Sequence, residues 1–164
     1  MPDGVKPALV QLALAVLVLA VAGVLAGVVW EWVWSAPDGA VVDGTWVAQD
    51  EANLRGVFSG TGWYVVVAAV AGLVGGALVA LFLDRVPLVT LLGVLLGSVL
   101  GGFLMLRVGV ALGPGDPLDA TGDVVPGVLD VSGGSPFIAM PAGALVALAM
   151  VFIGLIARDR VRSD

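Results

Sequence analysis

Long apolar runs separated by short polar segments form the main pattern of this chain. A hydrocarbon core about 30 Å thick needs about 20 residues of helix, because each helical residue adds about 1.5 Å. Each run meets that length, and the third continues past Arg107 to Leu112. The pattern therefore predicts four transmembrane helices, over residues 8–30, 63–83, 88–112 and 137–157.

The two longer polar segments, the outer loops 35–62 and 113–136, contain signals of regular structure. In the first loop, Asp43-Gly44 stands between short β-prone stretches and is typical of a two-residue hairpin turn. Residues 50–58 favour a short helix that ends before residues 59–62. In the second loop, residues 127–131 alternate enough to add a strand to that hairpin.

Composition agrees with a membrane domain. The chain is 60% hydrophobic and 12% charged, whereas a soluble domain carries about 25% charged residues. We expect one domain over residues 1–164, an all-α membrane protein. It consists of a four-helix transmembrane bundle with a small outer cap, including a short β-hairpin, from both outer loops. The short segment 84–87, with Pro87 opening the third span, predicts that the second and third helices form an antiparallel hairpin.

Basic residues predict the orientation of the bundle. Lys and Arg in short loops are retained on the cytoplasmic side of a membrane. Four spans put both termini and the 84–87 turn on one side, which holds Lys6, Arg85, Arg158, Arg160 and Arg162. The opposite side holds Arg55, with Arg107 near its boundary. We therefore expect a multi-pass protein of the bacterial plasma membrane with both termini in the cytoplasm.

The first span also permits another interpretation, a cleaved signal peptide. Lys6 gives a weakly positive start, and Ser35-Ala36 precedes Pro37. The apolar core of a signal peptide has about 7–15 residues, however, whereas this run is long enough to cross the bilayer. The length therefore favours a retained helix.

Composition also argues against several kinds of chemistry. The chain has no cysteine and no histidine, which are common metal ligands and reactive groups. Asp116, Asp119 and Asp123 lack the alternate oxygen ligands, central glycine and terminal glutamate of an EF-hand calcium loop. We expect no metal, no cofactor and no nucleic-acid partner.

Small residues recur at four-residue spacing in the second and third spans. Gly93, Gly97 and Gly101 form such a stripe in the third span, and Gly72 and Gly76 belong to one in the second. Helices in lipid associate by close packing, which small residues permit. We interpret the stripes as packing faces within the bundle. The alternative, for which the third span is the best candidate, is a face for another protein or a second copy.

Two charges stand at the outer ends of spans, Glu31 in the first and Arg107 in the third. Charges near the apolar zone are unfavourable and are usually paired. Because both residues are expected at a similar depth, we hypothesise that they form an ion pair. The alternative is that each reaches the interface alone, Arg107 by extending its side chain toward water.

Short motifs run from the end of the first span into the second. Aromatic residues precede Pro37, and the motifs that follow are Asp43-Gly44, Glu51, Phe58, Gly62-Trp63-Tyr64 and the segment from Gly72 to Gly76. In this layout the chain resembles small four-span integral membrane proteins of actinobacteria that share a domain of unknown function. The resemblance implies the four-span topology and a bacterial source. It implies no known activity and no catalytic residues.

No catalytic constellation is visible in the sequence, so we expect a protein that is not an enzyme. The glycine stripe and the compact cap, with candidate residues Asp43, Gly44, Trp46, Glu51 and Arg55, favour an accessory or assembly subunit of a cell-envelope membrane complex. Its partners would be the lipid bilayer and another protein or a second copy. The alternative is a small channel or transporter with an outer vestibule near Glu31 and Arg107. A third option, a lipid-modifying enzyme, requires acidic residues that converge in the cap.

Overall fold

Four long helices and one small sheet make up the fold. The computed structural model describes residues 5–83, 86–120 and 122–163. The helices are α1 (Val5–Val33), α2 (Glu51–Phe82), α3 (Pro87–Leu112) and α4 (Ala139–Ser163), and the strands are β1 (Asp38–Val42), β2 (Thr45–Ala48) and β3 (Val125–Pro126). All four helices contain segments long and apolar enough to span a membrane, which confirms that part of the prediction.

Helix α2 begins much earlier than predicted. The sequence suggested a separate short helix over 50–58 and a break at 59–62, but one continuous helix runs from Glu51 to Phe82. Asp50 caps this helix, because its Oδ1 accepts a hydrogen bond of 2.8 Å from the backbone N of Asn53. Glycine is unfavourable inside a helix by about 1 kcal/mol. At Gly60 its small size admits Trp34 and Leu129, so tertiary packing outweighs helix propensity.

The helices pack as two parallel pairs, α1 with α3 and α2 with α4. Along the first pair, Ala15 meets Gly93, Gly23 meets Gly101 and Gly27 meets Met105, so the contacts advance in step along both helices. The predicted α2–α3 hairpin is therefore not a principal packing pair, since these two helices touch only slightly. Helices that are neighbours in sequence contact each other less closely than the members of these two pairs.

Glycine accounts for the closeness of both pairs. A Cβ on Gly23 would overlap the backbone of Gly101, and a Cβ on Gly76 would lie 2.5 Å from the carbonyl oxygen of Ala144. Helices approach this closely only where one side lacks a side chain. Gly93, Gly97 and Gly101 face α1, while Gly72 and Gly76 face α4. In the described structure these stripes are internal packing faces, and α1 covers the third-span stripe that was the candidate surface for a partner.

The sheet forms the cap and contains residues from both outer segments. Strand β1 lies between β2 and β3, and both pairings are antiparallel. Asp43 and Gly44 connect β1 to β2 with φ values of 49° and 74°, the left-handed conformation that a two-residue hairpin of this kind requires. The predicted hairpin and its turn are confirmed.

The third strand differs from its prediction. It covers Val125–Pro126 rather than residues 127–131, and it pairs with Asp38 and Gly39. The next residue, Gly127, still donates a backbone hydrogen bond of 2.8 Å to Pro37. Beyond it, Leu129 and Val131 are buried in the core with the helices. The apolar alternation of this segment therefore serves the bundle and not the sheet.

The turn between α2 and α3 is described only at its end. Asp84 and Arg85 lie outside the described residues. Pro87 occupies the first turn of α3, as predicted. At that position its missing N–H has no intrahelical partner to lose.

Two glycine substitutions in α2 test the packing. In Gly72→Ala the new Cβ overlaps the carbonyl oxygen of Met140 and lies 3.0 Å from the backbone N of Ala144. We expect the free energy of unfolding to fall by about 1–3 kcal/mol, because α2 and α4 must separate. Gly62→Ala is the matched control, since no atom lies within 4 Å of its new Cβ. The control should gain about 0.5–1 kcal/mol from helix propensity. Reversible unfolding in mixed detergent micelles measures both, and equal effects would contradict the packing role of Gly72.

Candidate functional site at the cap end of the bundle

A buried aromatic cluster closes the bundle beneath the cap. Trp30 from α1 and Tyr64 from α2 have no exposed surface. Their ring centroids are 5.1 Å apart at an interplanar angle of 80°, the edge-to-face arrangement that aromatic pairs favour. Phe137, just before α4, lies 5.6 Å from the Tyr64 ring. The cluster therefore brings together residues of α1, of α2 and of the segment that leads into α4.

Each polar atom of this aromatic pair has a backbone partner on another helix. Trp30 Nε1 donates a 2.8 Å hydrogen bond to the carbonyl oxygen of Gly60 on α2. The hydroxyl of Tyr64 donates a 2.8 Å bond to the carbonyl oxygen of Gly102 on α3. The Trp30 ring also lies against Gly109 of α3, where a Cβ would overlap it. Three helices are thus joined at one level by directional contacts as well as by packing.

The cap is fixed to the extended first part of α2. The backbone N of Asp38 in β1 donates to Asn53 Oδ1 at 2.9 Å, and the backbone N of Ser132 donates to Thr61 Oγ1 at 3.0 Å. Leu129 inserts between Gly60 and Gly113 and is 2% exposed. These hydrogen bonds and the buried Leu129 side chain therefore anchor both outer segments to the bundle.

The predicted cap residues do not converge on one site. Asp43 and Gly44 form the exposed hairpin turn. Trp46 lies over Gly39 and Gly127, and its Nε1 donates to the Val125 carbonyl oxygen at 2.9 Å, so it holds the sheet together. Glu51 and Arg55 form an exposed ion pair of 2.7 Å in the first turns of α2. These residues shape and support the cap from different parts of it.

Glu31 and Arg107 do not form the predicted ion pair. Within the described ranges, the only salt bridge shorter than 4 Å joins Arg55 and Glu51. Arg107 is exposed at the cap end of α3, where it lines a groove of about 380 Å³ together with Asp130. Similar depth on two helices did not imply proximity, because residues on packed helices can face different directions. The arginine has an acidic neighbour across a groove, and that neighbour is Asp130.

A wholly apolar groove lies between α1 and α2. Two adjoining cavities of about 350 and 390 Å³ share Ala22, Leu25 and Val74 and together follow both helices. Small residues form the floor, namely Ala22, Ala26, Ala71 and Gly75, while exposed valine and leucine side chains form the rims. This α1–α2 groove marks where the two tightly packed helix pairs meet less closely.

Sequence reasoning missed a buried polar contact at the opposite end of the bundle. Gln11 of α1 is 4% exposed, and its Nε2 donates to Thr90 Oγ1 of α3 at 2.7 Å. It also donates to the carbonyl oxygen of Val86 at 3.3 Å. The signal was available, because a lone glutamine in an apolar span is expected to face the bundle interior.

The fold and this end of the bundle define a class of protein: four helices of membrane-spanning length, joined by an aromatic cluster and covered by a three-stranded cap. No family model, no curated protein and no solved structure matches the chain. The resemblance to actinobacterial four-span proteins therefore stays a prediction. In the described part of the chain, no group of three or more Asp and Glu residues is arranged to hold a metal ion.

Replacing Trp30 with a smaller aromatic residue tests the role of the aromatic cluster. Trp30→Phe removes the hydrogen bond to Gly60 and leaves part of a buried indole volume empty. We expect the free energy of unfolding to fall by about 1.5–3 kcal/mol. Trp32→Phe is the matched control, because Trp32 is 80% exposed, and it should change stability by less than about 0.5 kcal/mol. Detergent unfolding measured for both variants provides the comparison, and a similar loss in each would refute the structural role of the cluster.

The separation of Glu31 and Arg107 is tested by a double-mutant cycle. We expect the stability effects of Glu31→Gln and Arg107→Gln to add within about 0.5 kcal/mol, because the two side chains form no salt bridge in the described structure. The same unfolding assay measures both single variants and the double variant. A coupling energy above about 1 kcal/mol would restore the ion pair that the sequence suggested.

Proposed function

We propose that this chain is a non-enzymatic integral membrane protein and an accessory or assembly subunit of a cell-envelope membrane complex. The observation that carries the proposal is the open α1–α2 groove. At the two tight interfaces, α1–α3 and α2–α4, small residues let one helix approach another. The α1–α2 groove has the same kind of floor, yet no helix in the described part of the chain fills it.

The proposed occupant of the α1–α2 groove is a transmembrane helix of a partner protein or of a second copy. Association inside a bilayer depends on close packing, because lipid tails are as apolar as the side chains they would replace. The floor formed by Ala22, Ala26, Ala71 and Gly75 permits such packing. The glycine stripe of α3, which was the best candidate for the alternative of a partner surface, is already covered by α1. The proposal therefore moves the partner surface from the third span to the first two.

The distribution of polar groups favours this role over a channel or transporter. Transport pathways through helical bundles are marked by ionisable residues or broken helices near the midplane. Among the described residues, the buried polar side chains other than aromatic ones are Gln11, Thr90 and Ser98, and no Asp, Glu, Lys or Arg side chain is buried. Ser98 donates to the Leu95 carbonyl of its own helix at 3.1 Å. The vestibule alternative placed both Glu31 and Arg107 along one outer vestibule, whereas the described groove at Arg107 is lined by Asp130 and not by Glu31.

The proposed location is the bacterial plasma membrane, with the cap outside and both termini in the cytoplasm. Lys6 lies near the start of α1, at the end of the helix away from the cap, and Arg158 lies toward the end of α4. Cytoplasmic retention of basic residues supports this orientation. The cap would then be available to extracytoplasmic parts of a partner.

Photo-crosslinking from a single cysteine tests the proposed partner surface. The natural chain has no cysteine, so a benzophenone maleimide attaches only at an introduced residue. Val70→Cys places the probe on the groove rim, where the native side chain is 54% exposed. In native membranes we expect one discrete protein adduct. Its mass distinguishes a second copy from a different partner.

The matched control is Val99→Cys on α3, where the native valine is 62% exposed and lines neither cavity of the α1–α2 groove. It should yield no discrete protein adduct. Ala22→Leu, which fills the floor, should reduce the Val70→Cys adduct by about tenfold or more, as expected for a loss near 1.4 kcal/mol. Lipid adducts alone at position 70, or the same protein adduct from position 99, would count against the proposal.

A further inference from the structure

The groove beside Arg107 carries two opposite charges that do not meet. Its walls are formed by Leu106, Arg107, Val110 and Ala111 of α3 and by Asp130 from the second outer segment. Arg107 and Asp130 are both exposed, and in the described structure they form no salt bridge with each other. The groove that both residues line has a volume of about 380 Å³. This Arg107–Asp130 groove thus presents a cation and an anion across an apolar floor.

The position of Asp130 is fixed by its neighbours in the chain. Its Oδ1 accepts a hydrogen bond of 2.7 Å from the backbone N of Val131. Leu129 on one side is buried against Gly60 and Gly113, and Ser132 on the other donates to Thr61. The carboxylate is therefore held at the rim of the groove and does not depend on a flexible loop for its placement.

The position of the groove near the cap-side ends of the spans favours the surface of a bilayer. Arg107 lies in the last turns of α3, which ends at Leu112, and Trp32 near the same end of α1 is 80% exposed. Tryptophan rings are typical of the headgroup level of a membrane. Phosphate and ammonium groups of lipids are the charges that surround a protein at this level.

We propose that the Arg107–Asp130 groove binds the headgroup of an aminophospholipid, with the phosphate on Arg107 and the primary ammonium on Asp130. A guanidinium donates two parallel hydrogen bonds to a phosphate, and an ammonium donates charge-assisted bonds to a carboxylate. Leu106, Val110 and Ala111 contact the apolar part of the lipid.

Charge complementarity selects this occupant over an anionic lipid. The phosphate of phosphatidylglycerol would satisfy Arg107, but its glycerol offers no cation to Asp130. Asp130 would in addition repel the phosphate, since like charges at this range are unfavourable. Phosphatidylethanolamine supplies both signs in one headgroup. This inference does not depend on the partner proposed for the α1–α2 groove.

A lipid competition experiment tests the assignment. The full chain is reconstituted in vesicles that contain equal amounts of phosphatidylethanolamine and phosphatidylglycerol with the same acyl chains, and native mass spectrometry counts the lipids that it retains. We expect the native protein to retain phosphatidylethanolamine about three- to fivefold more than phosphatidylglycerol, the range that one exposed charge pair supports. Equal retention of the two lipids would overturn the proposal.

Two variants separate the roles of the charges. Asp130→Asn keeps an Oδ1 acceptor for Val131 but removes the charge, so the preference should fall to about one while phosphatidylglycerol stays bound. Arg107→Gln should lower the retention of both lipids about three- to fivefold. Asp123→Asn and Arg55→Gln are matched controls, because neither residue lines the groove. Unchanged thermal unfolding of each variant excludes a folding defect, and a preference in Asp130→Asn equal to that in Asp123→Asn would refute the assignment.

Discussion

Direct contact between helix backbones at glycine is the constraint on which the architecture of this protein depends. Apolar side chains gain little by leaving lipid for a protein interior, so the helices are held together by close packing and by a few hydrogen bonds. Gly23 against Gly101, and Gly76 against Ala144, bring the members of each parallel pair together. Because each pair is parallel, its members are not consecutive in the chain. The small residues therefore bring together helices that are not neighbours in sequence.

Groups other than the glycines connect the α1–α3 pair to the α2–α4 pair. At the cap end, Trp30 and Tyr64 connect helices through hydrogen bonds to the carbonyl oxygens of Gly60 and Gly102. At the opposite end, the hydrogen bond from Gln11 to Thr90 lies within the α1–α3 pair and does not connect the two pairs. Between these levels, α1 and α2 meet less closely, and the α1–α2 groove remains. The groove follows from the same distribution of small residues that makes the pairs compact.

The sequence predicted features that depend on local chemistry. Span length, the Asp43-Gly44 turn and the packing role of the glycines all follow from residue type and spacing, and the structure agrees. Features that depend on partners distant in the chain were not predictable. Residues 51–62 continue the α2 helix, and within them Gly60 packs against Trp34 and Leu129 from distant parts of the chain. Depth alone also could not show that Arg107 shares a groove with Asp130 and not with Glu31. Even so, the lone Gln11 indicated an interior polar contact and was overlooked.

The charges at the cap end are more informative together than separately. An arginine at the membrane surface is common, since it reaches lipid phosphate and water with its long side chain. A carboxylate fixed across the same groove weakens that attraction for any purely anionic group. The arrangement is favourable when the occupant brings a phosphate and a cation together, which is why the pair indicates a zwitterionic headgroup.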